Sequence, residues 1–285
     1  MTASILDGKL VSSVMRNALK QRISQRTLEG YRPPCLAVVL LGTEHASTLY
    51  VQNKRKACAH VGIRSVPYEL PIQTTELDLL TLLDELNQST DIDGILVQLP
   101  LPPHIRANKI IERISPDKDV DGFHPLNMGR LAQGNPQLRP CTPLGVMRLL
   151  QHYQLNVSGL SALVVGSSNI VGRPMALELL LAKATVTIAH RQTKNLEAHI
   201  READLIVSAT GVPNLIHPSW LQQRQIIVDV GIHRTDANTI QGDIDFSAAQ
   251  KQVAWLTPVP GGVGPMTVTM LLENTVACWM NTFTE

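Results

Sequence analysis

Tyr50 and Lys54 stand four residues apart in Ala46-Ser-Thr-Leu-Tyr-Val-Gln-Asn-Lys54. On a helix that spacing turns a phenol and an ammonium to the same side, where both would point at one ligand. The competing reading is a solvated helix face, because Lys54, Arg55 and Lys56 form a basic run and such stems ordinarily lie along the surface. Gln98 bears on the choice. It is the one polar residue in Gly94-Ile-Leu-Val-Gln98-Leu-Pro, and a strand covered on both faces should be uniformly apolar. Its amide therefore needs a partner, either backbone or a lysine that it would orient. In Asp117-Lys-Asp-Val-Asp121-Gly-Phe-His-Pro125 three acids fall within five positions. That loop lacks the twelve-residue ligand pattern and closing glutamate of a calcium site, so no metal is expected. A carboxylate there is suited instead to accept two parallel N–H bonds from a planar amidine-like ring, and Asp121, beside Gly122, is the best placed.

A second group of residues points to an anion. After the apolar run Ser-Ala-Leu-Val-Val comes Gly166-Ser167-Ser168-Asn-Ile-Val-Gly172-Arg173-Pro174, which opens onto Met-Ala-Leu-Glu-Leu-Leu-Leu-Ala. A tight turn feeding a helix N-terminus offers free N–H groups and a favourable dipole to a pyrophosphate. Ser168 occupies the middle position of the usual G-x-G-x-x-G, so the strand and helix context carries more weight than the motif. About where NAD enzymes place an acid on the ribose hydroxyl, this chain has His190-Arg191-Gln192-Thr193. A carboxylate would repel a 2′-phosphate; Arg191 attracts one, with Arg173 and Thr193 available to assist, so NADP is favoured over NAD. A third segment, Thr257 to Thr267, sets Gly261, Gly262 and Gly264 between Pro260 and Pro265, as suits close approach of a ligand to backbone.

The elements that must position these residues alternate between apolar β-rich runs and segments of helical period, the signature of α/β architecture with parallel sheet. In the first half strands are expected at Leu36 to Leu41, Arg64 to Leu70 and Gly94 to Leu99, with helices around Thr43 to His60 and Glu76 to Asn87. The prolines from Pro116 to Pro143 mark an irregular linker. A helix begins at Thr142-Pro143, and strands follow at Ala162 to Gly166, Thr185 to Ala189, Asp204 to Ala209 and Ile226 to Val230 in Rossmann order. Two domains are expected: an N-terminal α/β catalytic domain of residues 1–141 and a Rossmann-type NADP-binding domain of residues 142–266, with a cleft between them. The terminal helix, residues 267–285, is expected to pack back on the first domain.

Composition narrows the class. With 25 Lys and Arg against 24 Asp and Glu in 285 residues, there is no global field for nucleic acid or an anionic membrane. No apolar run approaches the roughly 20 residues of a membrane span. The N-terminus mixes Asp7, Lys9, Arg16 and Lys20 with apolar residues, as an amphipathic helix does and a signal peptide does not. The four cysteines form no CxxC pair, which suits a reducing cytoplasm.

Five blocks carry a resemblance: YVQNK at Tyr50 to Lys54, GILVQLPLP at Gly94 to Pro102, DKDVDGFHP at Asp117 to Pro125, GSSNIVGRP at Gly166 to Pro174 and PVPGGVGPMT at Pro258 to Thr267. In order and approximate spacing, over nearly the whole chain, they resemble the bifunctional methylenetetrahydrofolate dehydrogenase/cyclohydrolase family. The resemblance implies NADP-linked oxidation of 5,10-methylenetetrahydrofolate to the methenyl cation and its hydrolysis to 10-formyltetrahydrofolate at one site. It implies Lys54 as the acid/base of the hydrolysis, held by Gln98, with Tyr50 against the folate. Asp121 carries over as the pterin anchor, and Gly262 and Pro265 as part of the folate wall. Gly166, Ser167, Ser168, Arg191 and Ile232 carry over to the dinucleotide, and the family implies a homodimer. Two other readings compete. One is a monofunctional NADP dehydrogenase on another small, shikimate-like acid; the other is a redox-sensing dinucleotide module, in which removing Tyr50 or Lys54 would have no chemical consequence.

Overall fold

The computed structural model describes residues 2–42, 45–234 and 239–283, with the side chains of residues 45–51 and 234 outside the description. In chain order the first elements are β1 (Ser4–Ile5), α1 (Gly8–Leu28), β2 (Cys35–Leu41), α2 (His45–Val61), β3 (Arg64–Leu70), α3 (Glu76–Gln88) and β4 (Gly94–Val97). Then come α4 (Ala107–Arg113), α5 (Pro125–Ala132), α6 (Cys141–His152), β5 (Ser161–Val165), α7 (Gly172–Leu181), β6 (Thr185–Ala189), α8 (Leu196–Glu202) and β7 (Leu205–Ser208). The last are β8 (Ile226–Asp229), β9 (His233–Arg234), β10 (Ile240–Gln241), α9 (Phe246–Ala249), β11 (Trp255–Leu256) and α10 (Val263–Asn281). By compactness the chain divides into Met1–Ser13 with Thr142–Thr267, and Val14–Cys141 with Val268–Glu285.

The second of these units is built on a parallel sheet in the order β3-β2-β4. Central β2 is buried at every residue, as its uninterrupted Cys-Leu-Ala-Val-Val-Leu-Leu requires of a strand covered on both faces. Its core includes Ala37, Val39, Leu79, Leu83, Ile95 and Ile110. Helix α3 starts on a capping box in which Thr75 Oγ1 accepts from Asp78 N at 3.1 Å while the Asp78 carboxylate accepts from Thr75 N. Within the proline-rich passage expected to be irregular lies α5. Pro125 sits in its first turn, where the missing N–H costs nothing, and His124 Nδ1 accepts from Leu126 N at 3.0 Å.

The other unit holds a six-stranded, wholly parallel sheet in the order β1-β11-β8-β7-β5-β6. The chain leaves β5 in both directions along that order, the topological switch of a doubly wound fold. Strand β1 pairs with β11 at the sheet edge, whereas residues 1–141 were expected as one block. A two-residue strand has no periodicity of its own and is defined only by what it pairs with. Helix α10 begins at Val263, four residues ahead of the expected Thr267, because Pro265 is tolerated in a first turn. No described helix is long and apolar enough to cross a membrane.

Candidate active site

The lysine is held by the parallel sheet's own geometry. Helix α2 follows β2 and carries Lys54, only 6% exposed, and Gln98 comes directly after β4, where its N–H donates to Val39 O at 2.9 Å and extends the ladder. Lys54 Nζ donates to Gln98 Oε1 at 3.2 Å, and Gln98 Nε2 donates to Leu99 O at 2.7 Å. The two amide atoms thus have different partners, which fixes the orientation of the oxygen toward the ammonium. Tyr50 lies on the same helix, and its side chain lies outside the described residues.

The acidic loop is tied to the edge of β4. Ile95 N donates to Lys118 O at 2.8 Å, and Ile95 bridges to Asp119. Gly94 is needed there because a Cβ would collide with Val120. The buried Asp119 carboxylate accepts from His124 N at 2.8 Å and Asn127 Nδ2 at 3.0 Å. From α10, Asn274 Nδ2 donates to Val120 O at 2.8 Å and Arg139 O at 2.9 Å. Gly122 turns with φ +76°, where a Cβ would strike Arg139 and Pro140. The loop is therefore rigid around Asp121. The residue keeps some exposed surface, yet its carboxyl is closely surrounded: burial pushes its pKa up to about 6, against the attraction of Lys54. Among the described residues no donor hydrogen-bonds to the Asp121 side chain.

In the six-stranded unit Gly166 ends β5 with φ +122°, and a Cβ there would strike Ala209 O. A Cβ on Gly172 would strike Gly166 O. One glycine thus makes the turn and the other lets helix α7 close on it. Ser168, in the position where a third glycine is usual, accepts through Oγ from Val171 N at 3.2 Å and Gly172 N at 3.3 Å. Those helix-terminal donors are the ones a phosphate would take. Gly166, Ser167, Ser168, Arg191 and Thr193 line one cavity of about 690 Å³. Thr193 Oγ1 accepts from His190 N at 2.8 Å, which sets the turn presenting the exposed Arg191. Arg173 does not line the cavity; its Nε donates to Ser167 O at 3.2 Å and braces the loop. Ile232 is 60% exposed and also outside that lining. Gly262 and Pro265 fall in this unit while Asp121 falls in the other. At Gly262 a side chain would meet Pro258 O at 2.6 Å.

The sequence reading passed over part of this lining, namely Ala209, Thr210, Val212, Leu196 and Leu215. Their signal was position alone: Ala209 and Thr210 follow the carboxyl end of β7, where open α/β sheets bind their ligands. A buried lysine held by an amide near a partly exposed acid in one unit, and a glycine cradle on the larger Rossmann sheet of the other, define a two-domain α/β enzyme of the dinucleotide-dependent class.

Comparison with known proteins agrees with that class. Residues 6–121 match the model of the tetrahydrofolate dehydrogenase/cyclohydrolase catalytic domain, and residues 140–283 that of its NAD(P)-binding domain. The chain belongs to the tetrahydrofolate dehydrogenase/cyclohydrolase family. A bifunctional protein FolD of Legionella pneumophila is 59% identical over 276 residues, 97% of each chain. The Campylobacter jejuni bifunctional FolD superposes with a TM-score of 0.97 at 47% identity, covering 99% of this chain and 100% of that one. The Trypanosoma brucei FolD, determined with NADP and an inhibitor, gives 0.95 at 35% identity with each chain fully covered. Shikimate dehydrogenase of Aquifex aeolicus, at 15% identity and a TM-score of 0.54 over 88% of this chain and 93% of that one, shares the fold alone.

Proposed function

We propose that this chain oxidises 5,10-methylenetetrahydrofolate with NADP and hydrolyses the resulting 5,10-methenyl cation to 10-formyltetrahydrofolate. The observation that carries the assignment is the buried Lys54 held at 3.2 Å by Gln98, beside an Asp121 carboxyl whose pKa Lys54 lowers against burial. A carboxyl this closely surrounded, with no hydrogen-bond donor among the described residues, is costly unless a ligand completes it, and the two N–H groups of a 2-amino-4-oxopteridine would do so. For the oxidation, Gly166, Ser167 and Ser168 would hold NADP, which would supply the acceptor for a hydride from the methylene carbon. The chain's part is to hold that carbon at near-attack distance and exclude water.

In the hydrolysis, Lys54 as the free amine takes a proton from the water that adds to the methenyl carbon. As the ammonium it then delivers that proton to the ring nitrogen, and the C–N bond breaks as the carbinol oxygen gives its remaining proton to the amine so freed, which passes it to solvent, and becomes the formyl carbonyl. General acid–base transfer of this kind requires the amine to be held within hydrogen-bonding reach of the attacking water and the ring nitrogen. Gln98 fixes the amine, and Tyr50 would lie against the folate. Gly262 and Pro265 are proposed as folate wall, with Gly166, Ser167, Ser168 and Ile232 around the dinucleotide. Arg191, with Arg173 and Thr193 near it, is proposed to select the 2′-phosphate.

Family membership implies a homodimer, which light scattering would test, and the four buried free cysteines suit a reducing cytoplasm. The deciding assay follows NADP reduction from methylenetetrahydrofolate, then decay of methenyltetrahydrofolate alone, in the wild type and Lys54→Ala. Loss of hydrolysis in the variant with NADP binding intact supports the assignment; a wild type that does neither reaction overturns it.

A further inference from the structure

After β8 the chain makes an excursion through Gly231, Ile232 and the β9–β10 hairpin before returning at Asp243, and two buried acids clamp its ends. Asp229 is 3% exposed and Asp243 fully buried. Asp229 Oδ1 accepts from Gly231 N at 2.9 Å and Asp243 N at 3.0 Å, and Oδ2 accepts from Ile244 N at 2.9 Å. Asp243 Oδ2 accepts from Thr210 N at 2.8 Å, Thr210 Oγ1 at 2.9 Å and Ser208 Oγ at 3.0 Å. Its Oδ1 meets His233 Nε2 at 2.7 Å. Both neighbouring glycines are cut to fit: a Cβ on Gly231 would collide with the Asp243 carboxylate, and one on Gly242 with that of Asp229.

Thr210 lines the dinucleotide cavity, so Asp243 ties that lining directly to the segment bearing Ile232. The cavity lies at the carboxyl ends of β5, β6 and β7. A dinucleotide whose pyrophosphate rests at Gly166 and whose adenosine lies over β6 must direct its other half toward β7 and β8. That is the side the two acids organise. Asp229 accepts from three backbone amides and so fixes the path of the chain, while Asp243 joins Thr210 N and the Thr210, Ser208 and His233 side chains across the two segments.

We propose that Asp229 and Asp243 are positioning residues that set Gly231–His233 against Thr210 and so build the nicotinamide end of the dinucleotide site. The inference rests on the dinucleotide part of the proposed function. It assigns neither acid to chemistry; Asp229 acts through the backbone it holds and Asp243 through Thr210, Ser208 and His233.

The test uses the full chain with Asp243→Asn, whose amide N–H₂ would face donors that the carboxylate now accepts from, and with His233→Phe, which removes one contact only. Binding is measured for NADP and for 2′,5′-ADP, which lacks the nicotinamide half, together with hydrolysis of methenyltetrahydrofolate, which needs no dinucleotide. We expect 2′,5′-ADP affinity and hydrolysis to stay within about twofold, while NADP loses most of its advantage over the fragment. Dehydrogenase kcat should fall about tenfold to a hundredfold in Asp243→Asn, the range a small misplacement produces, and less in His233→Phe. Equal losses for NADP and 2′,5′-ADP, or no loss for either, would overturn the proposal. The wild-type comparison of NADP with its fragment needs no turnover, so failure of the folate reaction would be seen separately.

Discussion

Asp121→Asn should make the folded protein more stable near neutral pH while removing the proposed anchor for the substrate ring. The carboxyl has a pKa raised from 3.8 to about 6 by burial, against an opposing pull from Lys54. A folded pKa above the unfolded one means that the folded state binds more protons between about pH 4 and 6, so stability is lost as pH rises through that window. A shift of about two units corresponds to roughly 3 kcal/mol at 1.36 kcal/mol per unit. Because Asp121 keeps some exposed surface, solvent screening reduces the expected effect to about 1–2 kcal/mol. Asn has no ionisation to suppress. The variant should therefore match the wild type near pH 4 and exceed it by that amount at pH 7.5. Asp229, also raised to about 6, has the same sign in both proteins and cancels in the difference.

Two-domain unfolding is not safely two-state, so the measurement needs a local reporter. Of the three tryptophans, Trp279 alone belongs to the unit containing Asp121, and it is fully buried. Urea unfolding followed by its fluorescence, in a Trp220→Phe, Trp255→Phe background, reads that unit. Adding Lys54→Met should widen the gap between Asp121 and Asn, because the compensating ammonium is gone and the acid then stands alone. A variant no more stable than the wild type at pH 7.5, or one whose advantage is larger at pH 4.5, would refute the assignment of Asp121 as a carboxylate that burial strains.

Arg191→Ala should weaken NADP binding about tenfold to a hundredfold, as expected for loss of one charged hydrogen bond, and leave NAD nearly unchanged; titration with both cofactors checks this, and equal losses exclude a 2′-phosphate contact. Gln98→Met keeps the side-chain volume but frees Lys54 from its 3.2 Å partner, so methenyl hydrolysis should slow by about tenfold or more while 2′,5′-ADP affinity stays put. Gly166→Ala places a Cβ against Ala209 O at φ +122°; NADP binding should be abolished and calorimetry should show a lower Tm, whereas an intact cofactor affinity would mean that the cradle is not the pyrophosphate site.

What could be read from the sequence follows from how each feature is encoded. Strands β2 and β4 were visible because a buried parallel strand is a continuous apolar run, and Gln98 stood out against that same background. Helix α5 is obscured in the sequence because proline dense enough to break helices also fits a first turn, which is where Pro125 lies. Asp121 could be singled out by residue type and loop, but the absence of a hydrogen-bonding partner is a property of the folded surroundings. The clamp of Asp229 and Asp243 joins residues 14 apart through backbone amides, and no side-chain periodicity marks such a bond. Its trace in the sequence is glycine: Gly231 lies two residues after one acid and Gly242 just before the other, each in space the opposite carboxylate occupies. Burial pushes the carboxyls of partly exposed Asp121 and buried Asp229 both to about 6, yet they differ in what surrounds them. Asp229 is saturated by three backbone N–H groups, so its burial serves placement of the chain. Asp121 has no such donors among the described residues, and its desolvation is opposed by the charge of Lys54.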